Sequence, residues 1–438
     1  MSNKWQKSEE LIRLYQAVGK AALTYDIEDS HSGNIAMKIK DEKGQDRMMI
    51  TATGSQKGDL EPDQICMPAI DQADFGYYKA SSETDIHAKI LSLPGVSASM
   101  HGHTKELTIA TLDDLDKPSQ PLSFVPIDPL GWYFLKGEVP VDWFAVPSGS
   151  IEMTEKIPSR LAEHPVTSIQ GHGAFAKGRN IQEAFFLLCI ANNSGYIVNL
   201  ARKIKVDIDA LRKRIKESPA ANFSYPLPDY QVDGDQAADF ADDEELAKEF
   251  RKAGARIFES RLSPFYTGSM SLRGVRTMFY APKASMPREL GGPLLELPLK
   301  DDARDQELKI HRAIYAESNF QTVMHCYLPE AEALSHFNNP GETEPSERMI
   351  PVDAEGGFLY LVIPILPPNF ELDQLIRLVH DYKVVIVRGG GVWAVGAQSI
   401  SEALHHPSSV REICLYRIGA FERGLNLQKM EPKKAKKW

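Results

Sequence analysis

The stretch 96-VSASMHGH-103 places two histidines, His101 and His103, at the end of a run that is typical of a β-strand. Side chains at positions i and i+2 of a strand point to the same face, so the two imidazoles can converge on one ion. A His-x-His pair on its own also fits a polar strand edge. The choice between these two interpretations depends on the rest of the chain.

Composition excludes several classes of protein. The chain has 438 residues, which is enough for two or three domains of usual size, and 42% of them are hydrophobic. The net charge of −10 argues against a nucleic-acid partner, because such a partner requires a basic face. Four cysteines without CxxC spacing predict neither a disulfide framework nor a thiolate zinc site.

The distribution of apolar residues predicts no membrane partner. We find no apolar run close to the roughly 20 residues that a membrane span needs. The first residues, 1-MSNKW-5, have no apolar core of the kind that a signal peptide carries. We therefore expect a cytoplasmic protein.

Ser81, Ser82 and Glu83 form the second informative motif. We predict that Ser81 and Ser82 open a helix, where hydroxyls and free N–H groups at the positive end of the helix dipole bind phosphate or carboxylate. Plain helix capping is the alternative role of the two serines. Glu83, in the first turn, can move a proton at a carbon beside a metal-polarised carbonyl, although a solvated acid is the simpler interpretation.

A third histidine stands between glycines in 171-GHG-173. Together, His101, His103 and His172 supply three neutral imidazoles to one divalent ion and leave coordination positions open for a substrate, as in a catalytic site. The convergence of His172 on the other two is inferred from the fold and not from spacing. Two turns, at Gly33-Asn34 and at 53-TGS-55, are candidates to complete an anion site.

The second half of the chain repeats the first. Glu83-x3-His87-x13-His101 recurs with identical spacing as Glu307-x3-His311-x13-His325, and 173-GAFAKG-178 is echoed by 391-GVWAVG-396. Shared motifs in the same order indicate a tandem duplication. We therefore predict four segments: a metal-binding domain at 1–215, an acidic, proline-containing linker at 216–243, a degenerate domain at 244–428 and a basic tail at 429–438.

The ordered motifs of the first copy resemble the class II aldolase/adducin family, typified by L-fuculose-1-phosphate aldolase. The resemblance implies an α/β fold with two tandem α/β/α sandwich domains, each around a largely antiparallel central sheet. It also implies that active sites form between neighbouring sandwiches. We therefore expect a homodimer that builds a pseudo-tetramer of sandwich domains.

The resemblance further implies a role for each motif residue. A divalent metal, zinc by preference, would bind His101, His103 and His172, and Glu83 would be the catalytic acid/base. The phosphate of a sugar phosphate substrate would bind a set of turn and helix-start residues: Asn34, Thr53, Gly54, Ser81 and Ser82.

The implied activity is retro-aldol cleavage of a phosphorylated ketose by a metal-dependent lyase. Family members with the same scaffold include epimerases, dehydratases and decarboxylases, and the adducins imply a non-enzymatic scaffold. A glutamate at position 83 favours an aldolase over an epimerase, in which an aspartate is characteristic, but it does not separate an aldolase from a dehydratase.

The second copy departs from this pattern at most of the matching positions. Tyr327 stands where the first copy has His103, and Gly390 stands where it has His172. Asp305 and Gln306 replace Ser81-Ser82, so an acid would repel phosphate there. We predict that the second copy binds no catalytic metal and has an architectural role.

Overall fold

The computed structural model describes residues 2–29, 31–40, 44–67, 79–112, 122–223, 244–265, 267–281, 294–300, 305–338 and 344–431. The chain divides into two compact units, Met1–Pro126 with Leu130–Tyr196 and Ile127–Pro129 with Ile197–Trp438. Most of the predicted linker (224–243) and most of the predicted tail (432–438) lie outside the described residues. The predicted domain boundaries therefore remain a prediction.

The first half of the chain alternates strands and helices. Its described elements are α1 (Ser2–Thr24), β1 (Asn34–Lys40), β2 (Asp46–Thr51), β3 (Ile65–Cys66), α2 (Thr84–Leu91), β4 (Ala98–Gly102), α3 (Lys105–Ala110), β5 (Leu122–Phe124), α4 (Pro129–Phe134), β6 (Val139–Asp142), α5 (Ile151–Glu163), β7 (Val166–Ile169), β8 (Gly173–Gly178) and α6 (Ile181–Lys203). The eight strands form one sheet in the order β3-β2-β1-β4-β8-β7-β6-β5. Neighbouring strands are antiparallel except for β6 and β7.

Helices cover both faces of this sheet. On one face, α2 and α5 share a buried core with the strands through apolar residues that include Ile86, Ile90, Met153 and Ile157. On the other face, α6 packs so closely on β4 that a Cβ atom at Gly102 would lie 3.1 Å from Leu188. The central strand β4 is buried along its whole length, and it carries His101.

The second half repeats this architecture. Its described elements are α7 (Ile208–Glu217), α8 (Glu244–Glu259), β9 (Ser269–Arg273), β10 (Thr277–Ala281), β11 (Leu295–Pro298), α9 (Gln306–Ala316), β12 (Thr322–Cys326), α10 (Pro329–Ser335), β13 (Arg348–Met349), α11 (Ala354–Leu359), β14 (Ile363–Leu366), α12 (Leu372–Tyr382), β15 (Val384–Val387), β16 (Gly391–Gly396), α13 (Ile400–Glu422) and α14 (Leu427–Met430). The sheet order, β11-β10-β9-β12-β16-β15-β14-β13, is that of the first sheet position by position. Only β14 and β15 are parallel among the described pairs.

The two matching sheets confirm the predicted fold, two tandem α/β domains that are each built on a largely antiparallel sheet. In the second sheet, α9 and α12 contribute to a buried core with the strands on one face. Helix α13 contacts β12 and β16. A duplicated sequence has thus produced a duplicated topology.

One strand prediction is wrong. The apolar run 143-WFAV-146 on its own predicts a strand at these residues, but the strand β6 is Val139–Asp142 and ends just before it. Trp143 and Val146 are 38% and 61% exposed, and within the run only Phe144 is buried in the core. Pro140 inside the true strand obscured it, because proline argues against a strand interior.

The expectation of no long apolar run is also corrected. Helix α6 is long and apolar enough to cross a membrane by length and composition alone. However, 94% of its most apolar 18-residue window is buried inside the protein. The core helices of globular domains have this combination of hydropathy and burial.

Candidate metal centre

Three histidines from separate segments meet at one end of the first sheet. His101 lies on β4, His103 follows that strand directly, and His172 lies in the turn between β7 and β8. Their ligand atoms all lie within 4.8 Å of one another. Within the described ranges this is the one group of three or more His, Cys, Asp or Glu residues that could hold a metal ion.

Hydrogen bonding decides which nitrogen of His101 is available to a metal. Its Nδ1 atom lies 3.0 Å from the backbone oxygen of Ala174, which can only accept, so we assign the proton to Nδ1. The Nε2 atom then carries a lone pair, and it is buried without a hydrogen-bond partner. A buried polar atom without a partner is costly, and coordination of a metal ion would satisfy this one.

Burial keeps the three imidazoles neutral. It is the largest cause that lowers the pKa of His101 well below its usual range, and the neighbouring histidines add to the effect. Burial likewise lowers the pKa of His103 and of His172. Neutral imidazoles are the form that binds a metal ion, so the site is ready for one near pH 7.

Glu83 lies beside this cluster. Its Oε2 atom is 3.8 Å from Nε2 of His101, and the residue is only 3% exposed. The same Oε2 accepts a hydrogen bond of 2.8 Å from the side-chain amide of Asn34. Oε1 is buried without a partner. A carboxylate with one held oxygen and one available oxygen is suited to proton transfer.

Four of the five predicted anion-binding residues lie in neighbouring segments. The fifth, Asn34, donates its side-chain amide to Glu83. The Thr53 hydroxyl donates to the backbone oxygen of Ala80 at 2.9 Å, which places the exposed turn Thr53-Gly54 next to Ser81 and Ser82. Gly54 has a φ of +71°, a left-handed conformation that favours glycine. The prediction that these residues bind an anion remains untested.

The helix at this site begins later than predicted. Its first residue is Thr84 and its N-cap is Glu83, whereas the sequence predicted a start at Ser81-Ser82. The Ser81 hydroxyl accepts from the Glu83 N–H at 3.2 Å, so Ser81 still caps the segment that precedes the helix. The shift places Glu83 at the junction, where its side chain can face the histidines.

Sequence reasoning missed three contributors to this region. Lys57 is fully buried and donates to the backbone oxygen of Ser55 at 2.7 Å. Glu28 is 3% exposed, and burial is the largest cause that raises its pKa well above the usual range. Gly149 approaches Ser82 so closely that a Cβ atom would lie 2.9 Å from the Ser82 backbone oxygen. A Glu and a Lys in turn segments give no sequence signal of burial.

The matching place in the second unit is closed. The rings of His325 and Tyr327 lie with centroids 4.6 Å apart, and Gly390 offers only its backbone. Nε2 of His325 lies 2.8 Å from the Gly390 oxygen, and Nδ1 lies 2.8 Å from Oε1 of Glu307. Because each ring nitrogen faces an oxygen acceptor, His325 has no lone pair directed at an open position.

A family model agrees with the duplication. The model described as "Class II Aldolase and Adducin N-terminal domain" matches residues 11–197 and again residues 248–418. These two regions cover more than half of the chain and fall on the two copies.

Solved structures of similar proteins each cover about half of this chain. An L-fuculose-1-phosphate aldolase from Thermus thermophilus is 23% identical and matches 44% of this chain and 94% of its own, with a TM-score of 0.38. A sugar-phosphate aldolase from Thermotoga maritima is 20% identical and matches 45% and 97%, with a TM-score of 0.37. An L-fuculose 1-phosphate aldolase from Glaciozyma antarctica is 15% identical and matches 50% and 84%, with a TM-score of 0.36.

Proposed function

Because the chain belongs to the class II aldolase and adducin family, we propose that its first unit is a divalent-metal-dependent lyase that cleaves a phosphorylated ketose by retro-aldol chemistry. The observation that carries the proposal is the meeting of His101, His103 and His172 beside Glu83. A structural metal site is closed by four protein ligands, whereas three imidazoles leave room for a substrate.

The residues present fit a divalent ion. Three neutral imidazoles, one with a buried and unpartnered Nε2 atom, would hold it, and zinc is the ion that we propose. When bound, the ion would supply a Lewis acid that stabilises negative charge on the oxygens of the substrate.

The remaining chemistry belongs to side chains of the first unit. Glu83 would take the proton from the substrate hydroxyl as the carbon–carbon bond breaks and return a proton to carbon, with Oε1 as the atom that carries it. The hydroxyls of Ser81 and Ser82 and the backbone N–H groups of Gly54, Ser81 and Ser82 would hold the phosphate. Thr53, whose hydroxyl donates to the Ala80 oxygen, would hold the Thr53-Gly54 turn in place beside them. Burial of Glu83 would exclude water from the proton transfer.

Product analysis tests this function. The purified full-length chain, loaded with Zn²⁺, would be incubated with a panel of ketose 1-phosphates, and the products identified by nuclear magnetic resonance. We expect dihydroxyacetone phosphate and an aldehyde from an accepted ketose 1-phosphate. Glu83→Gln is the inactive comparison, and Glu307→Gln in the second unit is its matched control, which should keep full activity.

Other outcomes would replace the proposed reaction. An epimerised, dehydrated or decarboxylated product would keep the metal centre and change the chemistry. A chain that binds no divalent ion and turns over no substrate would be a scaffold, as the name adducin in the family description suggests. The three histidines and Glu83 argue against a scaffold, because a scaffold has no use for them.

A further inference from the structure

A buried chain of hydrogen bonds runs from the interior of the first sheet to the oxygen of Glu83 that faces the histidines. Asn34 donates to Glu83 Oε2 through Nδ2, so its Oδ1 is free to accept. Nε2 of His87 contacts that Oδ1 and therefore donates to it. Nδ1 of His87 is then an acceptor, and the Ser99 hydroxyl donates to it.

The protonation state of His87 agrees with this direction. The side chain is fully buried, and burial lowers the pKa of His87 to about 3. A neutral imidazole has one donor and one acceptor nitrogen, which is what the two neighbours require. The sequence suggested only that His87 packs in the core.

The second unit contains an equivalent series of hydrogen bonds, made by different side chains. The Ser269 hydroxyl donates to Glu307, and Ser269 in turn lies 2.9 Å from Nε2 of His311. Nδ1 of His311 lies 2.7 Å from the Ser271 hydroxyl. The order of groups, hydroxyl to histidine to linking side chain to carboxylate, is the same in both units.

The serine hydroxyl that contacts the histidine lies on a different strand in each copy. Ala36 on β1 lies opposite Ser99 on β4, and Ser271 on β9 lies opposite Val323 on β12. In the first unit the serine is therefore on the central strand β4, and in the second unit it is on the neighbouring strand β9. Both arrangements supply one hydroxyl to the histidine, so the hydrogen bond has been kept while its residues changed.

The link to the carboxylate differs between the copies. In the second unit a short serine holds Glu307 against His325, whose Nδ1 lies 2.8 Å from Oε1. In the first unit the longer Asn34 holds Glu83 with its Oε2 3.8 Å from His101 Nε2. The arrangement in the first unit leaves Nε2 of His101 clear for a metal ion. The arrangement in the second unit places the Glu307 carboxylate against Nδ1 of His325.

We propose that Ser99, His87 and Asn34 are positioning residues that hold Glu83 Oε2 in place and so leave Oε1 as the proton-carrying atom. This inference rests on the proposed function, because it assigns the role of Glu83 in that reaction. A side chain that is displaced by about 1 Å in an active site costs up to about a hundredfold in rate. The alternative is that these hydrogen bonds only stabilise the fold. The second unit, which has equivalent hydrogen bonds, provides the comparison that tests this alternative.

The experiment compares His87→Leu with the matched His311→Leu in the full-length chain. Each variant loses the two buried hydrogen bonds of its own histidine, so we expect similar decreases in Tm. Only His87→Leu should lower kcat, by about ten- to a hundredfold with little change in KM. His87→Gln retains a donor and an acceptor and should restore most of kcat.

A second set of variants copies the arrangement of the other unit. Ser99→Val removes the hydroxyl and should lower kcat, and addition of Ala36→Ser should restore it. Crystal structures of His87→Leu and of the parent chain give a readout that needs no substrate. We expect the Glu83 carboxylate to leave its place 3.8 Å from His101 in the variant.

The outcomes separate this inference from the proposed function. An unchanged Glu83 position together with unchanged kcat in His87→Leu would overturn the positioning role. A parent chain that cleaves no ketose phosphate would overturn the proposed function, and the crystal structures would still decide whether His87 positions Glu83.

Discussion

His101 and His325 occupy the same position on matching central strands, but their rings use opposite nitrogens. Nδ1 of His101 donates to a backbone oxygen on β8 and leaves Nε2 directed at His103 and His172. Nε2 of His325 is bound to the Gly390 oxygen, and its Nδ1 faces Glu307. One duplicated histidine therefore lies in a candidate metal site in one unit and in a closed polar network in the other.

The acid/base role of Glu83 predicts a clean separation of metal binding from turnover. Glu83→Gln keeps the shape and the hydrogen bond from Asn34 but cannot carry a proton as a carboxylate does. We expect metal content to stay at the parent level and kcat to fall by about a hundred- to ten-thousandfold, the usual contribution of a general acid or base. Steady-state kinetics beside metal analysis of the same preparation measures both, and loss of both together would contradict this role.

The anion site can be tested with a residue taken from the second unit. Asp305 occupies the place of Ser81 and accepts from the Glu307 N–H at 2.8 Å, as Ser81 does from Glu83. Ser81→Asp should therefore fold and bind metal normally, while its charge repels phosphate. We expect KM for a phosphorylated ketose to rise by about ten- to a hundredfold and to recover partly at high salt. An unchanged KM would place the phosphate elsewhere.

Two glycines with similar backbone angles predict different costs of substitution. Gly33 and Gly54 have φ angles of +68° and +71°, which cost a non-glycine residue about 1–2 kcal/mol. A Cβ atom at Gly54 meets nothing within 4 Å, whereas one at Gly33 would lie 1.8 Å from Oε2 of the buried Glu28. We expect Gly33→Ala to lower the free energy of unfolding by about 1–3 kcal/mol more than Gly54→Ala in denaturant titrations. Equal losses would show that Glu28 moves aside at no cost.

Burial of His87 predicts a pH-dependent loss of stability. Its folded-state pKa is about 3, against about 6.5 in the unfolded chain, so between these values only the unfolded state binds the proton. The contribution to stability is complete above pH 6.5 and falls by up to about 1.4 kcal/mol per pH unit below it. His87→Gln should flatten this part of the stability profile, measured by denaturant unfolding from pH 7 to pH 4. Parallel profiles would contradict the assignment.

The repeated spacing was enough to predict the duplication, whereas the sandwich architecture of each copy was implied by the family resemblance. Glu83-x3-His87-x13-His101 and its copy join a helix to a central strand in both units, and that geometry fixes the spacing between the motif residues. The convergence of His101 and His103 was also predictable, because a two-residue spacing at a strand end places both side chains on one face.

Ring orientation and hydrogen-bond direction were not predictable from the sequence. Whether Nδ1 or Nε2 of His101 faces the cluster depends on a backbone oxygen of β8, which is distant in the chain. The contact between Asn34 and Glu83 depends on pairing of β1 with β4, in which Asn34 lies opposite His101. Such contacts arise from tertiary packing, and no local pattern records them.

Metal stoichiometry tests the central claim, that one of the two homologous units holds the working site. Elemental analysis of the full-length chain, purified and equilibrated with Zn²⁺, should give about one ion per chain. His103→Ala should reduce this to near zero, whereas Tyr327→Ala, the matched change in the second unit, should leave it unchanged. About two ions per chain, or an ion that persists in His103→Ala, would contradict the account.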